Sequence, residues 1–231
     1  MTAARKGRSW LVLLVSGIGM AILLSLSAWQ YSKIAPKEAQ IESIRSQMDL
    51  APVALPDGAL MQEDWAFRPA FAEGILRADA ARHVYRAGPD GRPGYHLVMP
   101  LVRDSGPAIW VDMGWFFERD KAAFETPIVA KGPVRITGTM IPRQRSPKWI
   151  TPAPPNPAEN RYYRLQPEVL ASGLGIESIS AVYLLSKAPL EGLVATPIPF
   201  KLEHNHRSYA FQWLAMALGL AAITIAFLRR R

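Results

Sequence analysis

The chain has 231 residues, enough for one domain and its anchors, and no cysteine, which excludes disulfides, thiolate metal sites and cysteine nucleophiles. Of its 27 basic residues, six lie in short terminal tails (Arg5, Lys6, Arg8, Arg229, Arg230, Arg231), leaving 21 against 19 acidic residues in between. The net charge of +8 is therefore mostly tail charge, and no nucleic-acid partner is expected from it.

The first predicted element is an uncharged run over residues 10–28. As a helix it covers about 28 Å at ~1.5 Å per residue, close to the ~30 Å hydrocarbon core of a bilayer. Trp10 stands at one end, with Trp29 and Tyr31 at the other, where interfacial aromatics belong. The competing reading is a cleaved signal peptide, with Ser25 and Ser27 small enough for a cleavage site. The run is long for a signal core, so a transmembrane helix is preferred. A second such helix is expected over residues 210–228, entered through Tyr209 and Trp213 and closed by three arginines.

Basic residues flank the outer ends of both runs. The positive-inside rule then puts the tails, residues 1–9 and 229–231, in the cytoplasm and residues 29–209 on the other side. Small-residue pairs at four-residue spacing, Gly17 with Ala21 and Ala215 with Gly219, are expected to let the two spans pack closely. No Arg- and Ser-rich presequence precedes the first run, which favours a bacterial inner membrane with a periplasmic main domain.

Between the spans, residues 37–50 are predicted as a helix with Ile41, Ile44 and Met48 on one face. After Pro52 the pattern changes to short apolar runs broken by Gly and Pro. Strands are predicted over residues 67–77, 95–103, 108–115, 133–142 and 181–187, the second and third joined as a hairpin by Asp104-Ser105-Gly106-Pro107. Residues 165–173 suit a short helix, and the prolines between 146 and 160 predict an irregular, exposed loop. The expected fold is two transmembrane helices flanking an α+β extracytoplasmic domain, with a mainly antiparallel, partly barrel-like β-sheet.

Enzyme motifs are absent: no phosphate loop, no Gly-x-Ser-x-Gly, no His-Glu-x-x-His and no dinucleotide fingerprint. A hydrolase or transferase reading has no specific feature behind it. Of the four histidines, His83 is expected to be solvated beside Arg82, and His96 to be a hydrogen-bonded structural residue at the start of a strand. His204 and His206 stand just before the second span. An imidazole there can serve as an axial ligand to haem iron, or it can simply be solvated by lipid headgroups. If the helix starts early, His206, Tyr209 or Ala210, and Trp213 share one face, and Arg207 is placed to meet a propionate. A helix would turn His204 away from His206; only an extended segment would let both reach one metal.

In chain order, several segments together carry a resemblance. They are Ala28-Trp29-Gln30 followed by Lys33 and Lys37, Phe71 to Gly74, Gly94-Tyr95-His96-Leu97-Val98-Met99-Pro100-Leu101, Val111-Asp112-Met113-Gly114-Trp115, and Gly138. The last is Asn205-His206 with Tyr209-Ala210 and Trp213. With its two-span frame, the chain resembles the Surfeit locus protein family of cytochrome c oxidase assembly factors. It departs from that pattern at Met113, where the family has Arg, at His204, where a second Asn is common, at Ala28 in place of Gly, and at Tyr162-Tyr163-Arg164. With that Arg missing, Gly114 and Trp115 are expected to serve the fold. The resemblance implies no enzymatic activity but a role in delivering haem a to oxidase subunit I, or in stabilising that site during assembly. It implies haem contact through His206, with His204 as the fallback and Tyr209 and Trp213 as an apolar wall. The implied partners are subunit I, haem a synthase and the lipid bilayer. The alternative is a cofactor-free membrane-anchored chaperone for the oxidase subunit.

Overall fold

The computed structural model describes residues 3–88, 91–126, 129, 131–143 and 153–230. In chain order the first elements are α1 (Ala3–Ser32), α2 (Ile34–Met48), β1 (Val53–Ala54), α3 (Gln62–Trp65), β2 (Pro69–Leu76) and β3 (Arg82–Tyr85). They are followed by β4 (Gly94–Val102), β5 (Ile109–Phe117), β6 (Pro133–Ile141), β7 (Arg161–Tyr162), α4 (Pro167–Ala171), β8 (Tyr183–Ser186) and α5 (His206–Arg229). The chain forms two units, residues 1–43 with 201–231, and residues 44–200.

In the first unit, α1 and α5 pack against each other, and both are long and apolar enough to cross a membrane. α1 breaks at Lys33 because Pro36 has no N–H to donate to the Ser32 carbonyl, and the chain restarts as α2. Ile41 and Ile44 are buried on one face of α2, as their spacing predicts. The buried positions of α5 are Ala210, Ala217 and Thr224, seven residues apart, the spacing of a helix–helix seam. The Ser27 hydroxyl donates to the Ala210 carbonyl at 2.8 Å across that seam. The small residues at the contact differ from those expected. Gly17, Ala21, Ala215 and Gly219 are all exposed, and a Cβ on Gly17 or Gly219 would meet nothing within 4 Å. Gly19 is the close approach, a Cβ there lying 3.2 Å from Leu220 Cδ2. Four-residue spacing alone does not say which stripe of a helix meets its neighbour.

In the second unit the strands run in the order β1-β2-β6-β8-β5-β4-β3-β7, and β2 also pairs with β4. β2, β6, β8, β5 and β4 thus close a ring, with β1 beside β2 and β3-β7 beside β4. Closure occurs at Ile75↔Val102 and Leu76↔Leu101. Gly74 permits it: a Cβ at that position would lie 2.2 Å from the Val102 carbonyl oxygen. The long pairings and the two-residue β2–β4 closure are antiparallel, and β1–β2, β3–β7 and β5–β8 are parallel. The sheet is therefore mixed and barrel-closed.

Alternation along the strands sorts side chains between two clusters. Tyr95, Leu97, Met99 and Leu101 of β4 join Ile109, Val111 and Met113 of β5 in the larger one. Met113 is a buried core residue. Val98, Trp110, Ile141, Tyr183 and Leu185 form the other cluster with Leu170 of α4, whose first residue, Pro167, accepts the Trp110 indole N–H at 3.1 Å.

The expectation of a solvated His83 is overturned. Its side chain is fully buried on β3, its Nε2–H donates to the Phe124 carbonyl at 2.9 Å, and its ring packs 5.2 Å from Phe116. The polar neighbourhood of Arg82 hid a strand that is paired on both edges, by β4 and by β7. Residues 144–152 of the proline-rich segment lie outside the described residues. The remainder forms a 3-10 turn at Pro157–Glu159, then β7.

Candidate functional site

α5 begins at His206, with Asn205 as its N-cap. His204 therefore lies outside the helix, and the backbone does not turn the two imidazoles apart. Their ring centroids are 5.2 Å apart at an interplanar angle of 37°. The two rings have different partners. His206 Nδ1 is 2.7 Å from Gln30 Oε1, near the end of α1. An amide oxygen only accepts, so Nδ1–H is the donor in this contact, and in the neutral ring the lone pair then lies on Nε2. His204 is nearly buried, with Nε2 3.6 Å from Glu38 Oε1 and Nδ1 buried without a hydrogen-bond partner among the described residues. The same Glu38 oxygen accepts from Arg207 at 2.9 Å. Glu38, a residue sequence reasoning did not single out, thus gathers a histidine and an arginine.

The other predicted residues separate around the helix. Trp213 is half-buried and lies on the seam side with His206 and Ala210, whereas Tyr209 is 48% exposed at the edge of that face. Ala210, not Tyr209, completes the His206 face. On a third side, Ser27, Tyr31, Ala35, Arg207, Ala210 and Phe211 contribute to a groove of about 520 Å³ that neither imidazole lines. Among the described residues no group of three or more His, Cys, Asp or Glu side chains comes together to hold a metal ion. The donor set suits a single axial ligand to an iron that brings its own macrocycle. In that sense the residues fit a haem: one imidazole with Nδ1 fixed by a second residue and Nε2 without a partner among the described residues.

A second histidine site lies in the sheet unit. β5 bulges where Met113 and Gly114 stand opposite the single residue Leu97 of β4, and Gly114 takes φ +126°. A Cβ there would lie 2.8 Å from Leu193 Cβ and 2.9 Å from the Val194 oxygen, so the bulge and the close approach both require glycine. Asp112, 1% exposed, accepts the Gly114 N–H at 3.0 Å, His96 Nδ1–H at 2.8 Å and the Thr196 hydroxyl at 3.3 Å. The structural histidine predicted at position 96 is present, and its partner is this carboxylate. The site borders a cleft of about 190 Å³, also lined by Arg86, Trp115, Tyr183 and Ile198. Burial, and then the negative charge of Asp112, push the Tyr183 hydroxyl far up, against a smaller lowering from Arg86. Thr196 sits on the Nδ1 side of His96, with Asp112. A hydrolytic triad would need its hydroxyl at Nε2, so this is not one.

The Gln30–His206 contact joins residues 176 apart in sequence, and no local signal announces it. The SURF1 family profile matches residues 18–218, from within α1 to within α5. The chain is 24% identical over 217 residues to a SURF1-like protein of Rickettsia bellii, covering 89% of this chain and 86% of that one. It is 24% identical over 237 residues to an uncharacterized SURF1-like protein of Mycobacterium tuberculosis, covering 98% and 87%. It is also 27% identical over 125 residues to the cytochrome oxidase assembly protein SHY1 of Saccharomyces cerevisiae, covering 52% and 32%. With the profile spanning residues 18–218, the chain belongs to the SURF1 family.

Proposed function

We propose that this protein is a membrane-anchored assembly factor for cytochrome c oxidase, not an enzyme, and that it handles haem a on the way to the catalytic subunit. The oxidase-assembly part rests on the family and on the name of the yeast relative. The haem part rests on one observation, an imidazole at the mouth of an apolar helix pair with Nδ1 bound and Nε2 without a partner among the described residues. His206 would hold the iron through Nε2, Trp213 would give apolar contact on the same face, and Tyr209 would flank it. His204 is the secondary ligand candidate. Haem a, when bound, supplies an iron that accepts an axial imidazole. The chain supplies a ligand on a rigid helix end, and a single axial ligand suits transfer better than permanent retention.

In this reading α1 and α5 span a bacterial inner membrane, both termini are cytoplasmic, and the sheet unit is periplasmic. Subunit I and haem a synthase are the partners. The test is an absorption spectrum of the detergent-purified protein co-expressed with the haem a synthesis enzymes. A haem a Soret band that disappears in His206→Ala is the expected result; equal haem in wild type and variant removes His206 from the proposal.

A second reading is favoured by Glu38, which engages both His204 and Arg207 with the chain's own carboxylate. There the protein is a cofactor-free chaperone of the oxidase subunit. Colourless protein that still restores oxidase activity to a deletion strain would select it.

A further inference from the structure

Two side-chain bonds tie α1 to α5, one helical turn apart: Gln30 to His206, and Ser27 to the Ala210 carbonyl. The Ser27 bond ends on backbone, so it fixes the relative height of the helices and says nothing about chemistry. The Gln30 bond ends on an imidazole nitrogen. It removes one ring rotation and selects one tautomer. We infer that Gln30 is the positioning residue for His206, holding Nδ1–H so that Nε2 is the nitrogen presented to a metal. This rests on the haem-handling reading above only for the identity of the metal; the tautomer assignment stands on the contact alone.

The kind of acceptor matters. A carboxylate on Nδ1–H, as Asp112 provides to His96, drives the ring toward imidazolate character and makes it a stronger, more retentive ligand. A neutral amide orients the ring without that push. Gln30 is therefore suited to a ligand that must let go. Glu38 lies close enough to pair with His204 and Arg207, yet His206 takes the amide. The chain has a carboxylate at hand and does not use it on this ring.

The test uses the full-length protein in detergent. Nitrogen-15 spectra of labelled histidine, with the His206 signal assigned by its loss in His206→Ala, are expected to show the Nδ1–H tautomer in wild type. Gln30→Leu should populate the Nε2–H tautomer, and Gln30→Asn should restore part of the original signal. With added haem a, Gln30→Leu should weaken binding about 10- to 100-fold, the usual effect of losing an outer-shell partner. Gln30→Glu should bind more tightly and lower the reduction potential of the bound haem. A thermal melt on each variant separates loss of fold from loss of positioning, and Gln30→Glu supplies a gain that misfolding cannot mimic. If the tautomer shifts as expected but no variant binds haem a, positioning stands and the haem reading fails. If haem binding depends on His206 while tautomer, affinity and potential are indifferent to residue 30, the inference is overturned.

Discussion

His96 and His206 both give Nδ1 to an oxygen at hydrogen-bond distance, 2.8 Å and 2.7 Å, yet the two acceptors differ in charge and setting. The acceptor for His96 is a buried carboxylate that also holds the bulge glycine and a threonine, so the network ties β4, β5 and the segment at Thr196 together. The acceptor for His206 is a single neutral amide at a helix end. Removing the first leaves several buried donors unsatisfied; removing the second leaves a ring that can turn. Stability should therefore respond strongly at the first site and ligand chemistry at the second.

The sharpest way to break this comparison is Asp112→Ala, which orphans the Gly114 N–H and the His96 ring in a buried site. It should cost ~3–5 kcal/mol, read as a fall in melting temperature, while Gln30→Leu should change stability by about 1 kcal/mol or less. Similar losses for both would erase the distinction. Next is Gly114→Ala, which forces a side chain into φ +126° and against the Val194 oxygen. It should destabilise by more than ~1 kcal/mol, and the His96 tautomer signal should broaden with it because the bulge aims Asp112.

A third histidine sharpens the contrast, since its hydrogen-bond acceptor is a backbone carbonyl, that of Phe124. Burial holds the His83 imidazole below its ordinary range; the Phe124 carbonyl and Glu125 raise it and Lys121 lowers it, by less. The unfolded chain thus binds the proton more readily than the native one. The His83 contribution is complete above the ordinary histidine value of 6.5 and is lost as pH falls from there through the lower native value. Stability should decline below that point with a slope of up to ~1.4 kcal/mol per pH unit. His83→Gln should flatten this part of the profile in denaturant titrations between pH 4 and 7. The smallest effect is expected of Glu38→Gln, whose pair with Arg207 is exposed and worth about 0.2–1 kcal/mol, visible as a change in the His204 signal more than in the melt.

Much of the frame was legible in the chain. The two apolar runs and the strands that supply the ring follow from uncharged length and from alternation bounded by Gly and Pro. β1, β3 and β7 were not, since they have two to four residues each and β3 buries His83 and Val84 in succession, which removes the alternation that marks a half-buried strand. His83 was misjudged for the same reason. At the helix site, spacing on α5 left Tyr209 or Ala210 open beside His206 and Trp213; Ala210 is the buried one, because the seam sets the inward face and a seam is a property of two helices. Gln30 and Glu38 are distant in sequence from the groups they hold, so only the folded chain reveals them.

β8 has consequences for the order of events during synthesis of the chain. It is four residues long, comes last in the chain among the strands, and lies between β5 and β6, pairing with both. Until Tyr183–Ser186 emerges, β5 and β6 each keep an unsatisfied edge, and the barrel stands open like an arch without its keystone. Those edges are long, apolar and able to recruit a strand from another chain. The domain is thus most vulnerable to mispairing in the interval between synthesis of Ile141 and Tyr183, and a chain truncated in that interval is expected to aggregate even though most of its core residues are present.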